Sequence, residues 1–255
     1  MTPCRLIVDP PQLGAWNMAV DEWLLHLAAD EGIVSLRFYE WAEPTLSLGY
    51  FQRHADRQQH AASLDCPLVR RRSGGGALAH DRELTYSLAV PADHPLAQRA
   101  EALYFTVHDS LVELLRPLAD PSAGNFVLCE KQPSRGDDEP FLCFSRRARG
   151  DLLFAQRDGG QRKICGSAQR RHRGAVLQHG GILLARSPTA PELPGLEETA
   201  GIAITAPELG ESWLDALTKS LQLSLQSRHT LQSDEQVEVE RLSRKFRQAE
   251  WNQRR

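Results

Sequence analysis

The sequence predicts an α+β fold, and three observations lead there. About seven strand-like segments come first and a helical tail comes last, which is not the regular alternation of a doubly wound parallel sheet. Hydrophobic residues make up 41% of the chain and charged residues 25%, an ordinary globular composition. At 255 residues, the chain is long enough to bury a substantial core without staples.

Taken in order, Leu6 to Val8 is a short apolar strand closed by Asp9-Pro10-Pro11. Trp16, Ala19, Val20, Trp23, Leu24 and Leu27 then fall at helical spacing, which predicts an amphipathic helix over 16–29. Val34, Leu36 and Phe38 alternate in a strand over 33–41, and Thr45 to Tyr50 is expected to pair with it antiparallel after the turn at Glu43-Pro44. Residues 53–62 are polar and helix-compatible, and Pro67 to Val69 opens another strand. Leu84 to Val90 reads as a strand, 99–117 as a helix, and 121–142 as loop around one strand at Phe126 to Leu128, with an acidic run at 137–139. Strand-like segments at 151–154, 162–170 and 176–184 follow. Ser187 to Pro194, with its prolines, marks a linker or surface crossing. Helical spacing returns over 211–226, and a polar helix closes the pattern over about 233–252. The whole reads as one domain, 1–255, with the C-terminal helices 211–252 packed on it.

Two stretches carry chemistry. Arg70-Arg71-Arg72-Ser73-Gly74-Gly75-Gly76-Ala77 places contiguous glycines where a ligand or second backbone approaches, and their N–H groups suit an anion or carbonyl oxygen. It lacks the spacing of nucleotide-binding loops. The other stretch runs from Cys143 to Gly181 and brings a thiol, the amine of Lys163 and the imidazole of His179 onto short segments joined by tight turns. Neighbouring strands lie about 5 Å apart, so a hairpin brings thiol and amine together. A nearby cation stabilises the attacking thiolate, and a lysine desolvated by apolar neighbours such as Ile164 loses proton affinity and turns into a base. Most cysteines are small buried hydrophobes, and Cys165, inside an apolar strand, reads as structural.

Charge narrows the partners. The net charge of −3 and pI near 6.3 argue against a general nucleic-acid binder. Residues 143–173 nevertheless carry nine cations against two carboxylates, and Arg70, Arg71 and Arg72 add to them if the stretches meet, which favours acidic macromolecular partners. No apolar run approaches the roughly 18 residues of a membrane span. The five cysteines match no disulfide or zinc pattern and no hydrophobic leader precedes them, so a cytoplasmic protein without a metal is expected.

Several spaced motifs, in order and over almost the whole chain, resemble the lipoate-protein ligase A, octanoyltransferase and biotin ligase superfamily. They are Gly14-x-x-Asn17-Met18-Ala19-x-Asp21-Glu22, Pro44 to Gly49 with Phe51-Gln52, Arg70-Arg71-x-Ser73-Gly74-Gly75-Gly76-Ala77 with His80-Asp81, Arg162-Lys163-Ile164-x-Gly166-Ser167-Ala168-Gln169-Arg170, Leu177 to Gly180, and Arg244-Lys245-Phe246 with Trp251. The resemblance implies a mixed β-sheet core flanked by helices, the class II biotin/lipoate protein ligase catalytic domain. It also implies transfer of a lipoyl, octanoyl or biotinyl group to a lysine of a small acidic carrier. Lys163 matches the family's catalytic lysine, and Cys143-Phe144 looks like the Cys-Phe of the LipM-like transferases. Arg71, Ser73, Gly74, Gly75, Gly76, His80, Gly166, Ser167, Ala168 and His179 would then bind substrate. His80 and His179 are equally open to packing roles. Gly76 is more ligase-like, since the transferases often carry Arg there.

The expected activity is an octanoyltransferase acting through a Cys143 thioester. The expected donor is acyl carrier protein, and the acceptors are lipoyl domains of 2-oxoacid dehydrogenases or the glycine cleavage H protein. Lys163 would hold the thiolate and later take the proton of the incoming amine. Leu78, Ile164 and Leu177 would wall the acyl tail, and amides near Ser73 to Gly76 or Gly166-Ser167 would hold the oxyanion. No cofactor is expected. The alternatives are an ATP- and magnesium-dependent lipoate-protein ligase with Cys143 idle, and a non-catalytic protein that binds lipoyl carriers.

Overall fold

A computed structural model describes residues 1–130 and 139–255. Of the acidic run at 137–139 only Glu139 is described, and the rest of that run lies outside the described residues, as do Pro133 and Gly136.

In chain order the elements are β1 (Thr2–Val8), α1 (Gly14–Asp30), β2 (Val34–Tyr39), β3 (Thr45–Leu48), β4 (Leu68–Arg70), β5 (Leu78–His80), β6 (Glu83–Val90), α2 (Pro95–Gln98), α3 (Ala100–Leu115) and β7 (Gly124–Leu128). They continue with β8 (Leu152–Gln156), β9 (Gln161–His172), β10 (Ala175–Leu183), α4 (Leu196–Ala200), α5 (Ala206–Leu221), β11 (Leu223–Arg228), α6 (Ser233–Arg247) and α7 (Ala249–Asn252). An eight-stranded sheet runs β11-β1-β2-β6-β10-β9-β8-β7, and a small one runs β4-β3-β5. The β11, β1 and β2 pairings are parallel and the remainder of the large sheet is antiparallel. The mixed sheet between helices is therefore the expected α+β architecture.

Alternation along β6 assigns the two faces of this sheet. Leu84, Tyr86, Leu88 and Val90 belong to the core under α3 and α5, with Leu103, Val107, Leu111, Trp213 and Leu217. The opposite face carries Ala89 and meets the core of α1 and α6, built from Val20, Trp23, Leu24, Val239 and Phe246. Each such large side chain is worth about 1.5–3 kcal/mol when fully buried. Glu83, Thr85 and Ser87 share that second face, so one end of it is polar, and the candidate site lies there.

The structure corrects three readings. β3 does not pair with β2, because both edges of β2 are occupied by β1 and β6; it joins β4 and β5 instead. The helix over 211–226 stops at Leu221, where Gln222 takes the left-handed conformation (φ 56°) and the chain continues as β11 beside β1. Leu221 and Leu225 fit both the helical and the strand period, so their spacing alone does not separate the end of a helix from the start of a strand. The closing helix is broken at the extended Gln248 into α6 and α7. β5 went unread because three residues show no period.

Candidate active site

The glycine stretch connects β4 to β5 and is held from inside by Arg71. This guanidinium, 2% exposed, donates from Nη2 to the carbonyls of Gly74 (2.9 Å) and Gly76 (2.6 Å), and from Nη1 to Ser47 O (3.1 Å). Burial pulls its pKa down to about 10, against the opposing pull of negative charge at Cys143. Gly75 needs the freedom of glycine, with φ at +91°. A Cβ there would stand 3.9 Å from the Cys143 Sγ, so the loop passes directly over the thiol. The loop end is stitched to the cysteine segment: Ala77 N donates to Phe141 O (3.0 Å) and Cys143 N to Ala77 O (2.7 Å). Among the described residues, the N–H groups of Gly74, Gly75 and Gly76 donate to no protein acceptor.

Lys163 reaches this thiol from β9. Its Nζ lies 4.0 Å from Cys143 Sγ, 3.4 Å from Cys143 O and 2.8 Å from Asp151 Oδ2. Asp151 is fully buried just ahead of β8, and it accepts from Tyr104 Oη (2.6 Å) and the Ala148 N–H (2.6 Å). Burial opposes the ammonium, but negative charge at Cys143 and the Asp151 carboxylate outweigh it and hold the Lys163 pKa above its ordinary value. The expectation of an amine that loses its proton between apolar neighbours is overturned for the resting site. A buried carboxylate was the missing term. Asp151 is one of the two carboxylates counted within 143–173, and a charge at the head of the apolar run Leu152-Leu153-Phe154 is a signal, since a buried carboxylate requires a partner.

A second polar chain lies on the other side of the pocket. The His179 Nε2 is 2.6 Å from Ser73 Oγ and its Nδ1 is 2.8 Å from Asp21 Oδ2. Burial disfavours the Asp21 carboxylate, but His179, Arg37 and Ser87 more than compensate and bring its pKa below the ordinary value. His179 thus uses both ring nitrogens inside the protein while lining the pocket. His80 does the same with Glu83 (2.7 Å) and Ser47 (2.7 Å), and stacks on Trp41 at 3.8 Å.

The pocket between these two chains is lined by Cys143, Gly75, Leu78, Gly166, Ala168, Gly181, Thr85, Trp41 and Met18. Register explains its floor, for Gly166 pairs with Gly181, Ala168 with His179, and Gly181 with Thr85 on one face of the sheet. A Cβ on Gly166 would fall 2.3 Å from Lys163 Cε, so glycine leaves room for the amine. Two expected wall residues are elsewhere: Ile164 belongs to the core beneath α3 and α5, and Leu177 to that beneath α1 and α6. Only Leu78 of the three lines the pocket. Ser167 turns its hydroxyl to Tyr86 (2.6 Å) and His108 (2.7 Å), and its N–H donates to Tyr104 Oη (3.0 Å), so that amide does not serve an oxyanion. Cys165 is fully buried, as expected, and burial raises its pKa well above the usual thiol value.

The arginine-rich segment is less free than its sequence suggests. Arg146 pairs with Glu139, Arg149 with Glu101, and Arg173 with Asp30. Arg70 is fully buried and holds the carbonyls of Gly49, Gln52 and Asn252, so neither it nor Arg71 adds to a surface patch. Among the described residues no cluster of three or more His, Cys, Asp or Glu side chains suits a metal, and no helix is long and apolar enough to cross a membrane.

A buried carboxylate, an ammonium and a half-buried thiol meet beside loop amides that have no acceptor among the described residues, and the fold around them is that of lipoate ligases. The whole chain superposes on a putative lipoate protein ligase of Thermoplasma acidophilum, with a TM-score of 0.74 at 19% identity over 100% of both chains. It also superposes on lipoate-protein ligase A bound with ATP (TM-score 0.72, 20% identity, 99% of each chain). The lipoyl protein ligase A/B catalytic domain family matches residues 14–190, and the chain belongs to it. Within that family it is similar to the octanoyltransferase LipM of Exiguobacterium sibiricum, at 31% identity over 94% of this chain and 95% of the relative. The octanoyltransferase LipM of Kyrpidia tusciae is 30% identical over 100% of both.

Proposed function

We propose that this chain is an octanoyltransferase that moves an octanoyl group from acyl carrier protein to a lysine of a lipoyl carrier domain through a thioester on Cys143. The observation that carries this reading is the Cys143 thiol 4.0 Å from an ammonium that is itself anchored to a buried carboxylate. An acyl-adenylate route has no use for such a thiol. The likeness to LipM octanoyltransferases over the full chain supports the same reading. One solved relative, from Thermoplasma acidophilum, is described with its E2 lipoyl domain.

The steps balance as follows. The Cys143 thiolate attacks the donor thioester carbon, and the Gly75 and Gly76 N–H groups receive the oxyanion, a contribution of about 3 kcal/mol per donor. The donor thiolate leaves and takes the proton of Lys163, so the acyl-enzyme carries a neutral amine. With the thiolate consumed, one of the two charges that held that proton is gone. The acceptor lysine amine then attacks the Cys143 thioester and gives its proton to Lys163. An amide forms and the thiolate–ammonium pair returns. Lys163 acts as a base only after acylation, which reconciles its charged resting state with proton transfer. Asp151 positions Lys163 throughout, and His179, locked to Asp21, positions Ser73.

Intact-mass spectrometry after incubation with octanoyl–acyl carrier protein, without ATP, tests the proposal. The expected result is a single octanoyl adduct on the wild type that is absent from Cys143→Ala and is passed to an added lipoyl domain. Carrier modification that requires ATP and free lipoate, and proceeds equally in Cys143→Ala, would overturn it.

A further inference from the structure

Outside the loop that covers the thiol lies a surface whose positive charge meets no carboxylate among the described residues. Tyr50 and Phe51 pack edge to face at 5.0 Å, and the Phe51 ring, 65% exposed, stands 3.8 Å from where a Cβ of Gly74 would sit. The Tyr50 N–H donates to Ser73 O at 2.8 Å, which makes the pair the outer side of the glycine loop. Three guanidinium groups lie over these rings. Arg254 is 4.1 Å from the Tyr50 centroid, Arg170 is 5.6 Å from it, and Arg255 is 5.4 Å from that of Phe51. None of the three has a carboxylate within ion-pair distance among the described residues, whereas Arg146, Arg149 and Arg173 all do. The Arg170 Nε is buried and has no hydrogen-bond partner. The three cations together also draw the Tyr50 pKa below the usual phenol value, led by a hydrogen bond from Arg254.

This face is continuous with the pocket. A shallow depression lined by Glu22, Arg72, Ser73, Arg170 and His179 borders it and shares His179 and Met18 with the pocket. An acceptor lysine carries its amine on a four-carbon stem, so the domain that bears it must come down onto the lip of the site. Unpaired arginines on aromatic rings around an exposed phenylalanine suit a partner that is acidic around its reactive lysine and offers apolar surface beside it.

We propose that the face formed by Phe51, Tyr50, Arg170, Arg254 and Arg255 is the docking surface for the lipoyl carrier domain that supplies the acceptor lysine. The assignment rests on the octanoyltransferase reading for its partner, but it is tested apart from the chemistry. Titration of an unmodified lipoyl domain into the unacylated protein reads docking alone. The Arg254→Glu/Arg255→Glu variant is expected to raise Kd by at least about tenfold and to flatten its dependence on salt, with Phe51→Ser raising it further. In a second measurement, protein already carrying octanoyl on Cys143 is mixed with the lipoyl domain, and only acylated molecules are counted, so misfolded protein does not enter the rate. Transfer at low acceptor concentration should fall by the same factor, while transfer to a small amine acceptor should not. An unchanged Kd overturns the docking surface even if transfer proceeds. A tenfold weaker Kd in the variant supports the surface even if no acyl-enzyme ever forms, a result that would sink the octanoyltransferase reading alone. Loss of acylation by octanoyl–acyl carrier protein with an intact Kd for the lipoyl domain would give this face to the donor and end the proposal.

Discussion

Lys163→Met keeps the reach of the side chain and removes its charge, and the structure predicts two separable consequences. The ammonium lies 4.0 Å from Cys143 Sγ, and a unit charge at that distance is worth about 4 kcal/mol at an effective dielectric constant near 20. Withdrawing it from the thiolate predicts acylation slower by about a thousandfold. Folding suffers through the other partner, for Asp151 is fully buried and loses the cation 2.8 Å away. Stranding one member of a buried pair costs about 3–5 kcal/mol, and in a chain of this length that lowers Tm by roughly 6–20 °C. Adding Asp151→Asn removes the stranded charge, and the Asn oxygen still accepts one of the bonds from Tyr104 or Ala148. The double variant should therefore regain most of the lost Tm and remain inactive. The stabilisation has a pH signature as well. Because the Lys163 pKa is raised on folding, its contribution is fully present below pH 10.5 and is lost as pH rises through the folded value. Urea unfolding at pH 7 and above pH 10.5 measures the loss of stability, and single-turnover acylation followed by intact mass measures the loss of rate. A double variant no more stable than Lys163→Met, or a Lys163→Met protein that acylates at the wild-type rate, refutes the reasoning.

Three further outcomes follow from the same geometry. Gly75→Ala forces a Cβ into φ +91° with Arg71 Nη2 3.2 Å away; it should cost about 1–2 kcal/mol, visible as a lower urea midpoint, and slow acylation by displacing the loop amides. Ala168→Leu fills the pocket floor, and each methylene it excludes removes about 0.8 kcal/mol, so competition between acyl thioesters should shift toward shorter chains by about fourfold per carbon. Asp21→Asn removes a buried carboxylate whose pKa is lowered on folding. Its stabilisation is present above pH 3.8 and is lost as pH falls through the folded value, so the variant should be about 3 kcal/mol less stable than wild type at neutral pH, with the gap closing in acid.

The positions of Cys143, Lys163 and the glycine loop were legible because each lies in a motif of unusual composition, and the elements with clear periods, such as α1, β6 and α3, fell within two residues of their expected bounds. Asp151 and Tyr104 were not legible as site residues. Tyr104 stands in an unremarkable local pattern, and the place of Asp151 ahead of an apolar run signals a buried partner without naming it, because the pairing of a carboxylate ahead of β8 with an amine on β9 depends on strand register. The same holds for Asp21 on α1, which reaches His179 on β10 across 158 residues of chain.

The inventory of chemistry and the layer architecture follow from the order of residues alone, since apolar spacing dictates which face of each element must be buried. Tertiary structure alone decided the protonation of the lysine, the face each arginine presents, and which residues form the pocket. Those depend on distances between segments remote in the chain. A lysine with apolar neighbours in sequence is held charged because a carboxylate meets it in space. Arginines adjacent in sequence divide between a buried clamp at Arg71 and a bridge to Glu22 at Arg72 because the loop that follows β4 sends them to different sides.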